Sequence, residues 1–174
     1  MDKAIIDFFQ NFTTSNHFIL NNIFIFFTKI GNLGMIWILI SLLFLIFKST
    51  RKIGIVSLLS LFFSFIISNL FLKHLIARPR PFTTYDLKIL IPLPKDFSFP
   101  SGHASASFAS AFGIFLSSNK KSLKWVVITL ASLIAFSRIY LSVHYFIDVI
   151  SGVGIGIFCG YLSIKIYEKI MKNK

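Results

Sequence analysis

Apolar runs dominate this sequence and leave it few ways to fold. Five stretches, at 32–47, 53–72, 102–118, 125–142 and 146–167, carry few charges and reach or approach the roughly 20 residues that a membrane-crossing helix needs. In lipid only helices and closed barrels satisfy their own backbone. Period-2 alternation is absent, which excludes a barrel. A chain of 174 residues that is 55% hydrophobic, with 22 Phe and a mean hydropathy of +0.78, could not hide that surface as a soluble domain. The expected fold is an all-α polytopic transmembrane bundle with five firm spans.

Residues 4–30 are ambiguous. HFILNNIFIFF is apolar but short, and Asn21 and Asn22 interrupt it. It reads as an interfacial amphipathic helix or a short sixth span, with the interfacial form preferred. The expected organisation is residues 1–31 as this N-terminal helix and 32–174 as one membrane bundle. The first 16 residues carry Asp2, Lys3 and Asp7 and show no cleavable-signal pattern, so insertion is expected to use the internal spans.

The net charge is +12. Nucleic-acid binding would need those charges clustered on a solvated face. They fall instead in short runs between apolar stretches, as the positive-inside rule describes. Lys48, Arg51 and Lys52 follow the first firm span, Lys120, Lys121 and Lys124 the third, and Lys165, Lys169, Lys172 and Lys174 the fifth. Five alternating spans put all three groups on one side, expected to be cytoplasmic. The loop 73–101 and the break near 142–146 then face the other side. The single cysteine, Cys159, rules out an internal disulfide and a Cys-based zinc site. Gly152, Gly156 and Gly160 have GxxxG spacing, and Ser105, Ala109 and Gly113 form a similar seam. Both read as close helix packing.

Three clusters fall on the non-cytoplasmic side. KHLIARPRPF, 73–82, supplies Lys73, Arg78 and Arg80, with Pro79 and Pro81 preventing a simple helical continuation. On its own it could be a basic interfacial anchor, yet this side should be poor in Lys and Arg. FPSGHAS, 99–105, puts Ser101 at a plausible helix N-cap, with His103 above the free N–H groups of an anion-binding helix start. On its own it could be an ordinary capped helix. SRIYLSVHYFID, 137–148, holds Arg138, His144 and Asp148. Arg138 and His144 lie about 600° apart on an ideal helix, so a break near 142–145 is expected between them. His144 and Asp148 share one helical face, where the carboxylate can hold Nδ1–H and leave Nε2 as nucleophile or base.

Together the clusters offer three fixed cations, a helix N-terminus and two histidines, one backed by a carboxylate. That set suits phosphoryl transfer without a metal. The carboxylates on this side, Asp86, Asp96 and Asp148, show no pair at metal-ligand spacing, which argues against a two-metal phosphatase.

These residues resemble the signature of the type-2 phosphatidic-acid phosphatase family, which is similar to the vanadium haloperoxidases. The patterns K-x6-R-P, P-S-G-H and S-R-x5-H-x3-D are matched by Lys73 to Arg80-Pro81, by Pro100-Ser101-Gly102-His103, and by Ser137-Arg138 to His144 to Asp148. The resemblance covers about residues 53–165. It implies that His144 is the nucleophile, Asp148 its orienting partner and His103 the general acid. Lys73, Arg80 and Arg138 would bind phosphate with Ser101 and the Gly102 N–H. No cofactor and no metal are implied. Arg78 and His74 fall between motif positions and receive no role, and His17 reads as incidental.

The implied substrate is a membrane lipid phosphate whose tail stays in the bilayer. The bacterial undecaprenyl-diphosphate phosphatases of the family are the first expectation, at the outer face of the cytoplasmic membrane. Phosphatidylglycerophosphate, phosphatidate and lipid A 1-phosphate are the competitors. A haloperoxidase-like vanadate enzyme and a non-catalytic transport or resistance protein are the readings from other classes. The first is disfavoured because the family's peroxidases are soluble, the second because every motif residue is present.

Overall fold

The computed structural model describes residues 2–15 and 17–173, and helices carry most of them, with no strand among the described residues. In order they are α1 (Asp2–Thr14), α2 (Phe18–Ile30), α3 (Met35–Ile46), α4 (Arg51–Ser64), α5 (Lys73–Ile76), α6 (Pro81–Thr84), α7 (Gly102–Ser117), α8 (Lys121–Tyr140) and α9 (Phe146–Lys172). A 3-10 turn at Asn32–Gly34 joins α2 to α3, and a π-helical stretch at Phe65–Leu72 carries α4 directly into α5.

The bundle is arranged around α7. Its neighbours are α9, α8 and α4, while α3 packs on α4 and α2 on α8. The small-residue seams explain the tightest of these contacts. A Cβ on Gly152 would stand 2.7 Å from the Ser101 carbonyl oxygen, one on Gly156 2.6 Å from that of Ser105, and one on Gly160 3.0 Å from the Gly113 nitrogen. Backbone lies against backbone along α7 and α9, the close approach that small residues permit between membrane helices.

The distribution of side chains is inverted relative to a soluble protein. Leu42, Leu43, Phe62, Leu70, Val126 and Phe158 are exposed, while Ser41, Ser57, Ser60, Ser105, Ser107 and Ser110 are buried. These six hydroxyls find partners in one another, in the backbone or in Trp37. Ser57 Oγ lies 2.6 Å from both Ser41 Oγ and Ser110 Oγ, linking α3, α4 and α7, and Trp37 Nε1 donates to Ser107 Oγ at 2.9 Å. Apolar outside and hydrogen-bonded polar inside is the arrangement expected of helices in lipid.

Three helical stretches are long and apolar enough to cross a membrane: Arg51–Thr84, Lys121–Tyr140 and Phe146–Lys172. A fourth candidate is the pair Phe18–Ile30 and Asn32–Ile46, which meets the test only together and is bent by 49°. The count of five firm spans is therefore not confirmed: three helical stretches, or up to four, meet the test of length and composition. The segment 32–47 is one arm of a bent pair, because Leu33 and Gly34 adopt positive φ (53° and 67°) and break the helix. Residues 4–30 form two helices rather than one. Helix α7 has 16 residues, about 24 Å at 1.5 Å each, less than the roughly 30 Å hydrocarbon core.

Helix direction places the basic segments at one end. Lys52 at the start of α4 pairs with Glu168 near the end of α9 (3.7 Å), and Lys124 of α8 lies over the Phe115 ring near the end of α7. The opposite end gathers the end of α5, the start of α7, the end of α8 and the start of α9.

Candidate active site

Local breaks in regular structure deliver the three sequence clusters to that end. The π-helical stretch adds backbone per turn, as such bulges do near functional sites, and α5 then stops where Ala77 takes φ 47°. Lys73 is thereby buried and Arg80 follows on extended backbone (φ −79°, ψ 158°). The expected break between Arg138 and His144 is present. Helix α8 ends at Tyr140, Ser142 takes φ 54°, and α9 begins at Phe146.

A cavity of about 1160 Å³ opens here. Lys73, Arg80, Gly102, His103, Arg138 and His144 all line it. Of the eight residues singled out from the sequence, only Ser101 and Asp148 do not reach the wall. Asp148 lies just behind it and is fully buried, as is Ser101. The remaining wall is largely apolar, with Leu58, Leu61, Phe62 and Phe65 along one flank.

His144 is held in one tautomer by its surroundings. Its Nε2 lies 3.2 Å from Arg80 Nη1. A guanidinium has donors only, so Nε2 accepts and the proton sits on Nδ1. Nδ1 faces Ser98 Oγ at 3.4 Å, and that hydroxyl donates to Asp148 Oδ2 at 2.5 Å. The direct His144–Asp148 hydrogen bond expected from their spacing is not formed, since Nδ1 and Oδ2 are 3.7 Å apart. The cause is the start of α9. Asp148 Oδ2 accepts from the Tyr145 backbone N–H (3.0 Å) in a capping box, which draws the carboxylate toward the helix start and leaves Ser98 as the link.

Asp148 has a further partner. Arg78 Nη1 donates to Oδ1 at 2.8 Å, Arg78 Nη2 to Asp2 at 2.9 Å, and the guanidinium stacks 3.8 Å from the Tyr145 ring. The residue given no role in the sequence reading thus secures the carboxylate behind His144.

The cations converge. Lys73 and Arg80 both engage Asp96, while Arg80 Nη1 also donates to the Val143 carbonyl at 2.7 Å. Arg138 donates through Nη1 to Thr28 Oγ1, but its buried Nε has no partner among the described residues. The same is true of Ser101 Oγ. Ser101 does occupy the N-cap position of α7, yet its side chain makes no capping bond, contrary to expectation. A buried guanidinium donor on the cavity wall that lacks a protein partner among the described residues, beside two further cations, is what an anion site retains. A side chain on Gly102 would meet Asn69 Oδ1 at 2.8 Å, so the start of α7 is held tight against the π-helical stretch.

His103 faces the bend between α2 and α3. Its Nε2 lies 3.2 Å from the Thr28 carbonyl and 2.9 Å from Asn32 Oδ1. A carbonyl only accepts, so Nε2 carries the proton. His74 lines the cavity edge-on to Phe97, and His17 stacks on Phe12 at 4.3 Å, away from this constellation.

Burial, then Arg80, Arg138 and Lys73, push the His144 imidazole well below its ordinary pKa. Burial works against the Asp96 carboxylate, but Lys73 and Arg80 outweigh it and hold the group well below the usual carboxylate range. Among the described residues, no three His, Cys, Asp or Glu side chains cluster as metal ligands would.

The helical fold with this constellation defines a phosphatase of the PAP2 class. The PAP2 superfamily model matches residues 53–172, and the chain belongs to that superfamily. It is similar to an undecaprenyl-diphosphatase of Sulfolobus acidocaldarius, 37% identical over 84% of this chain and 70% of the relative. Two solved structures share the fold at TM-score 0.77 and 28% identity. LpxE of Aquifex aeolicus is matched over 91% of this chain and 93% of its own. A transmembrane PAP2-type phosphatidylglycerolphosphate phosphatase of Bacillus subtilis is matched over 97% and 85%.

Proposed function

We propose that this protein hydrolyses a lipid diphosphate, undecaprenyl diphosphate first, at the outer face of the cytoplasmic membrane through a phosphohistidine on His144. The observation that carries the chemistry is Nε2 of His144, unprotonated, beside three cations, one of which, Arg138, keeps a buried donor without a partner among the described residues. In the proposed reaction Nε2 attacks phosphorus and the bond to the leaving oxygen breaks. His103, protonated when the anionic phosphate is bound, supplies the proton to that oxygen and is left neutral. Lys73, Arg80, Arg138, Ser101 and the Gly102 N–H stabilise the equatorial oxygens. Water then attacks the phosphohistidine with His103 as base, releasing phosphate and restoring His144. Ser98 and Asp148 keep the Nδ1 proton in place, and no step requires a metal.

The apolar flank of the cavity supports a substrate whose tail remains in lipid. The Sulfolobus relative supports the diphosphate reading, and the Bacillus structure keeps phosphatidylglycerophosphate as the second. The proposed topology has α4 and α8 running outward and α3, α7 and α9 inward. Helix α7 needs less length because protein surrounds it. The lysine-rich ends then lie in the cytoplasm.

The test is phosphate release by purified protein in detergent with chelator present. Undecaprenyl diphosphate, phosphatidylglycerophosphate, phosphatidate and lipid A 1-phosphate are offered side by side. Preference for the first is expected. Preference for a glycerolipid would replace the substrate and keep the mechanism, and silence on all four would refute both.

A further inference from the structure

Asp96 belongs to none of the sequence clusters, yet it occupies the centre of the candidate site. One carboxylate oxygen, Oδ2, pairs with Lys73 and the other, Oδ1, accepts from Arg80 Nη2 at 2.7 Å. The Asp96 carbonyl also accepts from Arg80 Nε at 2.8 Å. A carboxylate spread over two cations presents them with two anionic oxygens, as two equatorial oxygens of a phosphoryl group would.

The two ends of this bridge differ. The Lys73 and Arg80 side chains are 7% and 4% exposed, whereas the Asp96 side chain is 51% exposed. The backbone around Asp96 is tied down by its own carbonyl on Arg80 and by the Ser98 N–H on the Arg78 carbonyl (2.8 Å). Rotation of the side chain alone therefore vacates the cations without moving the loop. Asp96 also fails to use everything the site offers, since Arg138 Nε, on the cavity wall, has no partner among the described residues. A phosphate has an oxygen left for it.

We propose that Asp96 is an internal competitor for the phosphate cradle, seated on Lys73 and Arg80 between turnovers and displaced by the substrate's phosphate. Without it two buried cations would stand unpaired, which is costly. With it the cradle stays assembled, and its return helps expel product phosphate. This inference rests on the phosphatase reading above. Its cost is apparent affinity, which falls by the fraction of time the cradle is free.

The experiment measures binding of inorganic phosphate and of vanadate to the full-length protein in detergent, for wild type, Asp96→Asn and Asp96→Ala. A cradle free about one-tenth of the time gives about tenfold tighter binding of both anions in either variant. The same variants should melt lower without phosphate and recover more of their Tm with it, and KM should fall together with kcat as product leaves more slowly. The second substitution carries the test if the first does not yield folded protein. Equal or weaker phosphate binding by a folded variant overturns the proposal and leaves the phosphatase reading standing, because a purely structural Asp96 would lower affinity on removal. Folded wild-type protein that binds neither anion overturns both.

Discussion

At the residue scale one imidazole is kept neutral and protonated on a single nitrogen by its neighbours. Arg80 forces the lone pair of His144 to Nε2, and Ser98 transmits the hold of Asp148 to Nδ1. Ser98→Ala breaks that relay without touching the phosphate site. The lost bond is worth about 1–2 kcal/mol of positioning, so kcat should fall about tenfold with little change in KM. His103→Ala should cost about 10²–10⁴ in kcat, the usual range for general acid–base catalysis. The pH profile has a determined sign. His144 lies in the break between α8 and α9, and burial and its cationic neighbours depress its pKa below about 6.5. The neutral form therefore persists as pH falls past that value, and the acid limb of kcat/KM set by the nucleophile should lie below pH 6.5. Stability follows the same linkage. The unfolded chain takes up a proton on this histidine as pH falls through about 6.5 and the folded chain does not, so this contribution is lost on acidification below that point. An acid limb at or above 6.5 would contradict the assignment.

At the scale of elements, the site depends on α7 and α9 lying backbone to backbone. Ser101, Gly102 and His103 open one helix and Asp148 the other. Gly156→Val should force the pair apart, because its Cβ would stand 2.6 Å from the Ser105 carbonyl oxygen and 2.8 Å from the Ala109 nitrogen. A loss of about 1–3 kcal/mol is expected for such overpacking, read as a lower Tm in detergent together with reduced activity. Gly154→Ala is the control, since nothing lies within 4 Å of its Cβ. Much of this scale was readable in advance. The spacing of Gly152, Gly156 and Gly160 pointed to the seam, and the 600° separation of Arg138 and His144 pointed to a break near 142–145. What was not readable depended on tertiary contact. Arg78, Ser98 and Asp96 are common residue types in a loop, and no periodicity shows that they meet Asp148, His144 and Lys73. The left-handed Leu33 and the roles of Thr28 and Asn32 in the bend were equally hidden, because the helix pair they interrupt reads as two separate apolar runs. Arg78 gave one usable signal, a third cation where the positive-inside rule expects few.

At the scale of the whole molecule, charge asymmetry and site placement agree. The basic ends of α3, α7 and α9 lie opposite the cavity, and buried serines with exposed leucines and phenylalanines mark a surface made for lipid. A cysteine at Lys121 in a Cys159→Ala background should resist an impermeant thiol reagent in intact cells and react after permeabilisation. Labelling of intact cells would invert the topology. The central claim, covalent catalysis by His144, is tested most directly by rapid acid-free quenching of the enzyme during turnover, followed by mass spectrometry of the peptide carrying 137–148. A phosphoryl group on His144, absent from His144→Ala, is the predicted result. Full turnover by His144→Ala, with no phosphohistidine trapped in the wild type, would contradict it.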